Sequence, residues 1–245
     1  MQLAQAGLTA GDQVVEHPFG FASTVLGPGI YDLDEMANNL GQPFRTQDAL
    51  MIKKYPCCGG NHAMLDSLFS MMRDNGFTVD DVANAEVDQS YYSVVMLYQE
   101  PEDDLKGKFS AKYNVAAALV DGEVNIDTFT QEKIDDPAMG EVMDKVNLRV
   151  MAKSEELLTN SEDGLKVKIT LKDGRVFEHA TARADVLGAQ GNPWGFDNIK
   201  AKFEENVAIV LNDEDVNRAV QAWSDIPEVT DIADLVRSTL VATRG

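Results

Sequence analysis

Downstream of Asn61 apolar side chains recur at helical spacing, with Leu65, Leu68, Phe69 and Met72 on one face and Gly76 just beyond. Asparagine is a favoured N-cap and glycine suits the left-handed position after a last turn, so the spacing predicts a helix from His62 to Asp74 or Asn75. Val79 to Val82 then opens a short turn, and the Val- and Tyr-rich run Ala85 to Met96 reads as a strand. Pro101 to Lys108 is a charged loop. Lys112 to Val120 is Ala-rich and apolar on nearly every side, which suits a buried helix stopped by Asp121-Gly122. A short helix is expected within Asp136 to Val146, with Pro137 in its first turn.

Three strand-like segments follow: Val146 to Lys153, Leu165 to Leu171 and Arg175 to Arg183. Val167, Ile169 and Leu171 alternate with polar neighbours, and Lys172-Asp173-Gly174 supplies a hairpin turn. After the turn cluster Gly188-Ala-Gln-Gly-Asn-Pro-Trp194 the pattern returns to helices over Asp197 to Asn206, Asn212 to Trp223 and Asp231 to Ala242. The opening 45 residues differ, because Gly7, Gly11, Pro18, Gly20, Gly27, Pro28, Gly29, Gly41 and Pro43 interrupt them. Only short helices fit there, around Met1 to Ala6 and Leu33 to Leu40, and the stretch reads as the tail of something that precedes it. The order of elements implies an α+β fold with its last helices in a separate helical layer.

Composition adds a strong acidic bias. With 245 residues, 41 Asp and Glu against 21 Lys and Arg leave a net charge of −20, which argues against nucleic acid or an anionic membrane surface as partner. No run approaches a membrane span, and Met1 to Thr24 lacks the pattern of a signal peptide, so a cytoplasmic location is expected. The two cysteines are adjacent, Cys57 and Cys58, and a vicinal disulfide is strained, so both are read as reduced thiols. His17, His62 and His179 show no metal-ligand spacing, and no phosphate-binding glycine motif occurs, so no metal and no cofactor are expected.

The densest chemistry lies in Met51-Ile-Lys-Lys-Tyr-Pro-Cys-Cys-Gly-Gly-Asn-His62. A Gly-Gly pair at a helix start frees backbone N–H groups for an anion, and Lys53 and Lys54 could hold a carboxylate there with Cys58, Gly59 and Gly60. His62 in the first turn is disfavoured as imidazolium and could act as a base. A plain reading stays open beside this one: solvated lysines, an ordinary turn and a packed histidine.

Lys53-Lys-Tyr-Pro-Cys-Cys-Gly-Gly-Asn-His62 resembles the Lys-x-Tyr-Pro-Cys-Cys-x-x-x-His signature of the MmgE/PrpD family, which includes 2-methylcitrate dehydratase, cis-aconitate decarboxylase and iminodisuccinate epimerase. Phe109-Ser-Ala-Lys-Tyr-Asn-Val-Ala-Ala-Ala-Leu119 is similar to its Phe-Ser-x-x-Tyr-x-Val-Ala-x-Ala-Leu segment, and Gly191-Asn-Pro193 with Lys200-Ala-Lys-Phe203 resembles its closing stretch, minus one proline. The resemblance covers about the C-terminal half of a typical member. It implies that 1–45 ends a helical domain, 46–190 forms an α+β lid with a mixed sheet, and 191–245 returns to the helical domain. By position Lys53 matches the family's active-site lysine and Tyr113 a pocket tyrosine, while Cys58 stands where some decarboxylases carry a catalytic histidine.

That resemblance implies cofactor-free proton abstraction beside a carboxylate of a di- or tricarboxylic acid, as in a lyase or isomerase. It also implies completion by a helical N-terminal polypeptide, a homodimer, or both. A different class stays open: a non-catalytic carboxylate-binding or regulatory subunit.

Overall fold

Alternation along Leu165–Leu171 builds the sheet. In the computed structural model of the chain the described residues are 2–38, 40–42, 44, 46, 50–89, 98–151, 165–189 and 191–239. They fall into two compact units, Met1–Leu50 and Met51–Gly245. The first unit holds α1 (Gln2–Gln5), α2 (Phe21–Leu26) and α3 (Leu33–Ala37). Breaker residues keep α1 and α3 short as expected, whereas α2 went unread because six residues between glycines carry too little periodicity. The described side chains of the first unit stay largely exposed, Phe19 at 90% and Leu40 at 78% among them.

The second unit runs through α4 (His62–Asn75), β1 (Val82–Gln89), α5 (Asp104–Gly107), α6 (Ala111–Val120), α7 (Gln131–Ile134), α8 (Pro137–Met143), β2 (Val146–Val150), β3 (Leu165–Leu171), β4 (Val176–Thr181), α9 (Phe196–Ala208), α10 (Asp213–Ser224) and α11 (Ile232–Thr239). The four strands lie in the order β2-β1-β3-β4, with β1 parallel to β2 and antiparallel to β3, and β3 antiparallel to β4. This is the mixed sheet of an α+β fold. The predicted hairpin closes through Leu171 N–H to the Arg175 carbonyl at 2.9 Å, with Gly174 at φ 88°.

Val167, Ile169 and Leu171 point inward, as their alternation predicts, and meet Val82, Ala85 and Val87 of β1. A register shift between Val82 and Asn84 is why β1 does not alternate cleanly at its start. The helix α4 packs its buried Met64, Leu65, Leu68 and Met71 over β3 and β4, and α6 lies against α4, α8 and β2. Val115 to Leu119 of α6 are buried together, so a helix apolar on all sides sits within the core. Ser110 starts it, its Oγ accepting the Tyr113 N–H at 3.1 Å.

The opposite face of the sheet is polar and pairs strand to strand. Arg149 meets Asp88 with two bonds of 2.7 Å, Lys168 meets Glu86 at 2.9 Å and Lys166 meets Glu178 at 3.0 Å. Some boundaries differ from the sequence reading. The strand expected over 85–96 begins earlier, at Val82, and residues 90–97 lie outside the described ones, as do 152–153 of the next expected strand and 240–242 of the last helix. The charged 101–108 loop contains α5, started by Asp103, whose Oδ1 accepts the Lys106 N–H at 2.7 Å. Among the described residues no helix is long and apolar enough to cross a membrane.

Candidate functional site

The Met51 to His62 run is pinned at both ends by main-chain bonds. Ile52 N–H donates to the Gly188 carbonyl at 3.1 Å, and Gly188 has φ 93°. A Cβ on Gly188 would collide with the Ile52 carbonyl oxygen, so the close approach of the two segments requires glycine. Further along, Cys58 N–H donates to the Lys108 carbonyl at 2.9 Å, tying the loop to the turn that begins α6.

Asp66, one turn into α4, gathers the middle of this run. Its Oδ1 accepts the Tyr55 hydroxyl at 2.8 Å and the Lys54 ammonium at 3.2 Å, and its Oδ2 accepts Leu187 N–H at 3.4 Å. Tyr55 is buried, stacked on Phe69 at 5.8 Å and edge-on to His62 at 5.2 Å. Burial, then the Asp66 charge, pushes its phenol well above the usual tyrosine range. Sequence reading missed Asp66. The available signal was a lone acid four residues after His62 on an otherwise apolar helix face.

The two adjacent lysines therefore have different fates. Lys54 is bound in an ion pair, while Lys53 donates to the Cys57 carbonyl at 3.0 Å and has no carboxylate within ion-pair distance among the described residues. Cys57 is buried and Cys58 half-buried, both as free thiols. Burial, followed by the neighbouring Cys58, pushes the Cys57 thiol up to about 12, so it stays protonated.

The helix start departs from the sequence reading. Asn61 does not cap α4 with its side chain: its backbone is already helical (φ −89°, ψ −14°), because a 3₁₀ turn over Gly59–Asn61 leads into the helix. That turn takes up two of the N–H groups expected to be free for an anion, Asn61 N–H going to the Cys58 carbonyl and His62 N–H to the Gly59 carbonyl. Gly59 is exposed and Gly60 half-buried, on the outer side of this turn.

His62 has no exposed surface. It is neutral, as expected, but burial is the main cause and the Lys53 charge the second, lowering its pKa to about 4. Neither ring nitrogen nor the Asn61 amide finds a partner in hydrogen-bond geometry among the described residues, although the carbonyls of Cys57 and Tyr55 lie close to the ring. Such an imidazole is a weak base and cannot touch a substrate in this conformation.

Tyr113 sits apart. It is fully buried on α6, and its hydroxyl donates to the Thr128 carbonyl at 2.6 Å. Burial raises its pKa, and among the described residues no hydrogen bond joins it to Lys53 or His62. Its link to the loop is indirect: Lys108, whose carbonyl accepts from Cys58 N–H, lies two residues before the Ser110 cap of its helix.

In the place of Tyr113 the structure brings up Lys202, from the middle of α9. Its ammonium donates to the Lys53 carbonyl and lies 5.8 Å from the centroid of the Trp194 ring. Among the described residues no three His, Cys, Asp or Glu side chains gather as a metal site would need.

Residues 55–225 match the MmgE/PrpD C-terminal domain. The chain belongs to the MmgE/PrpD family. The family match thus opens at Tyr55 and includes Asp66, Tyr113 and Lys202. Among relatives, the chain is similar to a cis-aconitate decarboxylase-like protein of Aspergillus oryzae, 23% identical over 96% of this chain and 50% of the relative. The cis-aconitate decarboxylases of mouse and human are 26% and 24% identical, over 56% and 55% of this chain and 27% of each relative. The chain spans about half the length of the first of these relatives, so an MmgE/PrpD protein of that length carries as much chain again.

Proposed function

We propose that this chain forms part of a lyase or isomerase of the MmgE/PrpD type, acting without a cofactor on a di- or tricarboxylic acid by removing a proton beside a carboxylate. The observation that carries this is the unequal treatment of Lys53 and Lys54: one is neutralised by Asp66, the other is held by a main-chain carbonyl with its charge unpaired. A fixed ammonium against a substrate carboxylate lowers the barrier to the enolate-like charge that develops on proton loss, by a few kcal/mol. In this reading Lys53 is the clamp or the acid, and Lys54 with Asp66 keeps the loop rigid. The names of the relatives favour a lyase over an isomerase, while Cys58 in the histidine position weighs against decarboxylation as such.

The remaining acid–base groups come from a helical polypeptide or domain equivalent to the other half of the relatives, in the cytoplasm and in a dimeric assembly. The bare apolar side chains of the first unit, Phe19, Ile30 and Leu40 among them, support such a partner. Tyr113 and His62 act in this scheme only after a rearrangement that the partner brings about.

A second reading, a carboxylate-binding subunit without catalysis, is favoured by the buried imidazole of His62 and the engaged hydroxyl of Tyr113. The experiment is turnover of di- and tricarboxylates by the chain assembled with its helical complement. Lys53→Ala should lower kcat/KM by about 100-fold or more, and Lys54→Ala by far less. Equal losses would defeat the assigned roles, and binding without turnover in a complete assembly would leave the second reading.

A further inference from the structure

Most described lysines of this acidic chain find a carboxylate: Lys54, Lys106, Lys112, Lys133, Lys166, Lys168 and Lys200 all do. Lys53 and Lys202, like Lys108, Lys145 and Lys172, have no carboxylate within ion-pair distance among the described residues, and these two differ from the other three in what holds them. Their ammonium groups both rest on carbonyls of the same loop, that of Cys57 for Lys53 and that of Lys53 for Lys202. Glu205 is near enough to bear on Lys202 but not within ion-pair distance, and burial, aided by the Lys53 charge, lowers the Lys202 pKa. Lys53 is exposed and Lys202 half-buried, so Lys202 carries the burial cost of its charge, and the Glu205 charge offsets it from beyond ion-pair distance.

Beside them a third donor lacks an acceptor. Trp194 Nε1 is buried with no hydrogen-bond partner among the described residues, and its ring lies 5.8 Å from Lys202 Nζ. An indole N–H is a donor only, so this group asks for an acceptor, as the two ammonium groups do. The backbone fixes the arrangement: Gly188 is clasped to Ile52, and Gly191 could not carry a Cβ without meeting the Ala184 carbonyl at 2.6 Å. The turn that presents Trp194 and then α9 is therefore set against the Lys53 loop.

The geometry points to a second anion subsite, in which Lys202, next to Lys53, and the Trp194 indole N–H, once a local shift of its turn uncovers it, receive another carboxylate of a polycarboxylic substrate. This rests on the reading of Lys53 as a carboxylate clamp and extends it, since two separate cations distinguish a di- or tricarboxylate from a monocarboxylate. Lys202 is a substrate-binding residue in this assignment, and its bond to the Lys53 carbonyl makes it a positioning residue for the clamp as well.

Calorimetry on the full 245-residue chain, with tricarballylate, succinate and acetate as probes, tests it. In Lys202→Met the Kd for tricarballylate should rise at least about tenfold, as for the loss of one charge-assisted bond, while acetate binding changes less than about twofold. Lys202→Arg should keep most of the affinity. Trp194→Phe, which keeps the ring and removes the donor, should weaken tricarballylate by about three- to tenfold. Lys200→Gln, on the same helix but paired with Glu204, is the control and should change nothing.

Unchanged tricarballylate binding in both Lys202→Met and Trp194→Phe, with binding lost in Lys53→Ala, would overturn the subsite and leave the clamp standing. Failure of the parent chain to bind any of the three probes, or indifference to Lys53→Ala, would overturn the clamp and the subsite together. If Lys202→Met loses its cooperative melt, the Trp194→Phe result decides.

Discussion

The two units of this chain treat apolar side chains in opposite ways. In Met51–Gly245 an inward row from β1 and β3, one face of α4 and the whole of α6 close on one another, with Leu65, Leu68, Val115 and Ile169 at zero exposure. Among the described residues of Met1–Leu50 only Ala22 and Ser23 are buried, while Leu3, Leu8, Phe19, Phe21, Ile30, Leu40 and Phe44 stay open. Local structure forms in both, but only the second makes a core of its own. The first unit has segments whose helices are too short and whose apolar residues are too irregularly spaced to cover each other. The second unit thus has a core of its own, and the described residues of the first do not form one.

Glycines at matched backbone angles give the hardest test of this contrast. Gly188 and Gly7 have nearly the same φ, 93° and 90°, yet a Cβ on Gly188 meets the Ile52 carbonyl and one on Gly7 meets nothing within 4 Å. Gly188→Ala should destabilise the second unit by about 4 kcal/mol, whereas Gly7→Ala carries only the local backbone strain of about 1 kcal/mol. Urea denaturation followed by tryptophan fluorescence reads this cleanly, because both tryptophans, Trp194 and Trp223, lie in the second unit. An equal shift for the two variants would mean that the first unit melts as part of the same cooperative structure.

Next comes truncation of a large apolar side chain in each unit. Leu68→Ala removes a side chain with no exposed surface and should cost about 3 kcal/mol. Phe19→Ala removes one that is 90% exposed and should stay within about 0.5 kcal/mol in the isolated chain. Titration with a helical complement sharpens the point: association should then suffer from Phe19→Ala and not from Leu68→Ala variants that still fold.

How far all this was legible in the sequence follows the same division. Where period and burial coincide, as in α4, α6 and the β3–β4 hairpin, the pattern placed the elements within a residue or two, because one face of each must be apolar to meet the next layer. It failed at the helix start, where composition suggested an asparagine cap and the chain instead uses a 3₁₀ turn that consumes the N–H groups an anion would need. The site was half visible. Lys53, Lys54 and the Cys57-Cys58 pair announce themselves by local order, whereas Asp66, Trp194 and Lys202 reach the loop only through tertiary packing, and no local spacing encodes that they meet it. Lys202 lies 149 positions from Lys53 along the chain.

The third comparison sets pH against burial at His62. Its folded pKa of about 4 lies below the ordinary value of 6.5, so between these two pH values the unfolded chain binds the proton more readily. Stability attributable to His62 is complete above pH 6.5, falls as the pH drops towards 4, and levels off below it. The full loss is at most about 3.4 kcal/mol. The difference between parent and His62→Gln melts across this window isolates the contribution from the many carboxylates. A flat difference would mean that the imidazole is hydrated in solution and free to serve as a base, which would revive the direct catalytic role that its burial argues against.

The smallest effects separate two carboxylates that each pair with a lysine but have unlike surroundings. Glu86 faces Lys168 across two strands on the open side of the sheet, with side chains 51% and 35% exposed, so each ion stays hydrated and the pair gains little. Asp66 is 17% exposed and accepts from Tyr55, Lys54 and the Leu187 N–H, so removing its charge leaves a buried hydroxyl and a half-buried ammonium with a weaker acceptor. The same acid-to-amide change should therefore cost about 1–2 kcal/mol as Asp66→Asn and under about 0.5 kcal/mol as Glu86→Gln. Salt adds a second axis, because 1 M NaCl screens an exposed pair almost completely and a half-buried one much less. If the two variants were to cost the same at low and high salt, the Lys54–Asp66–Tyr55 cluster would be one more solvated pair. The distinction between a neutralised Lys54 and a charged Lys53 would then lose its physical basis.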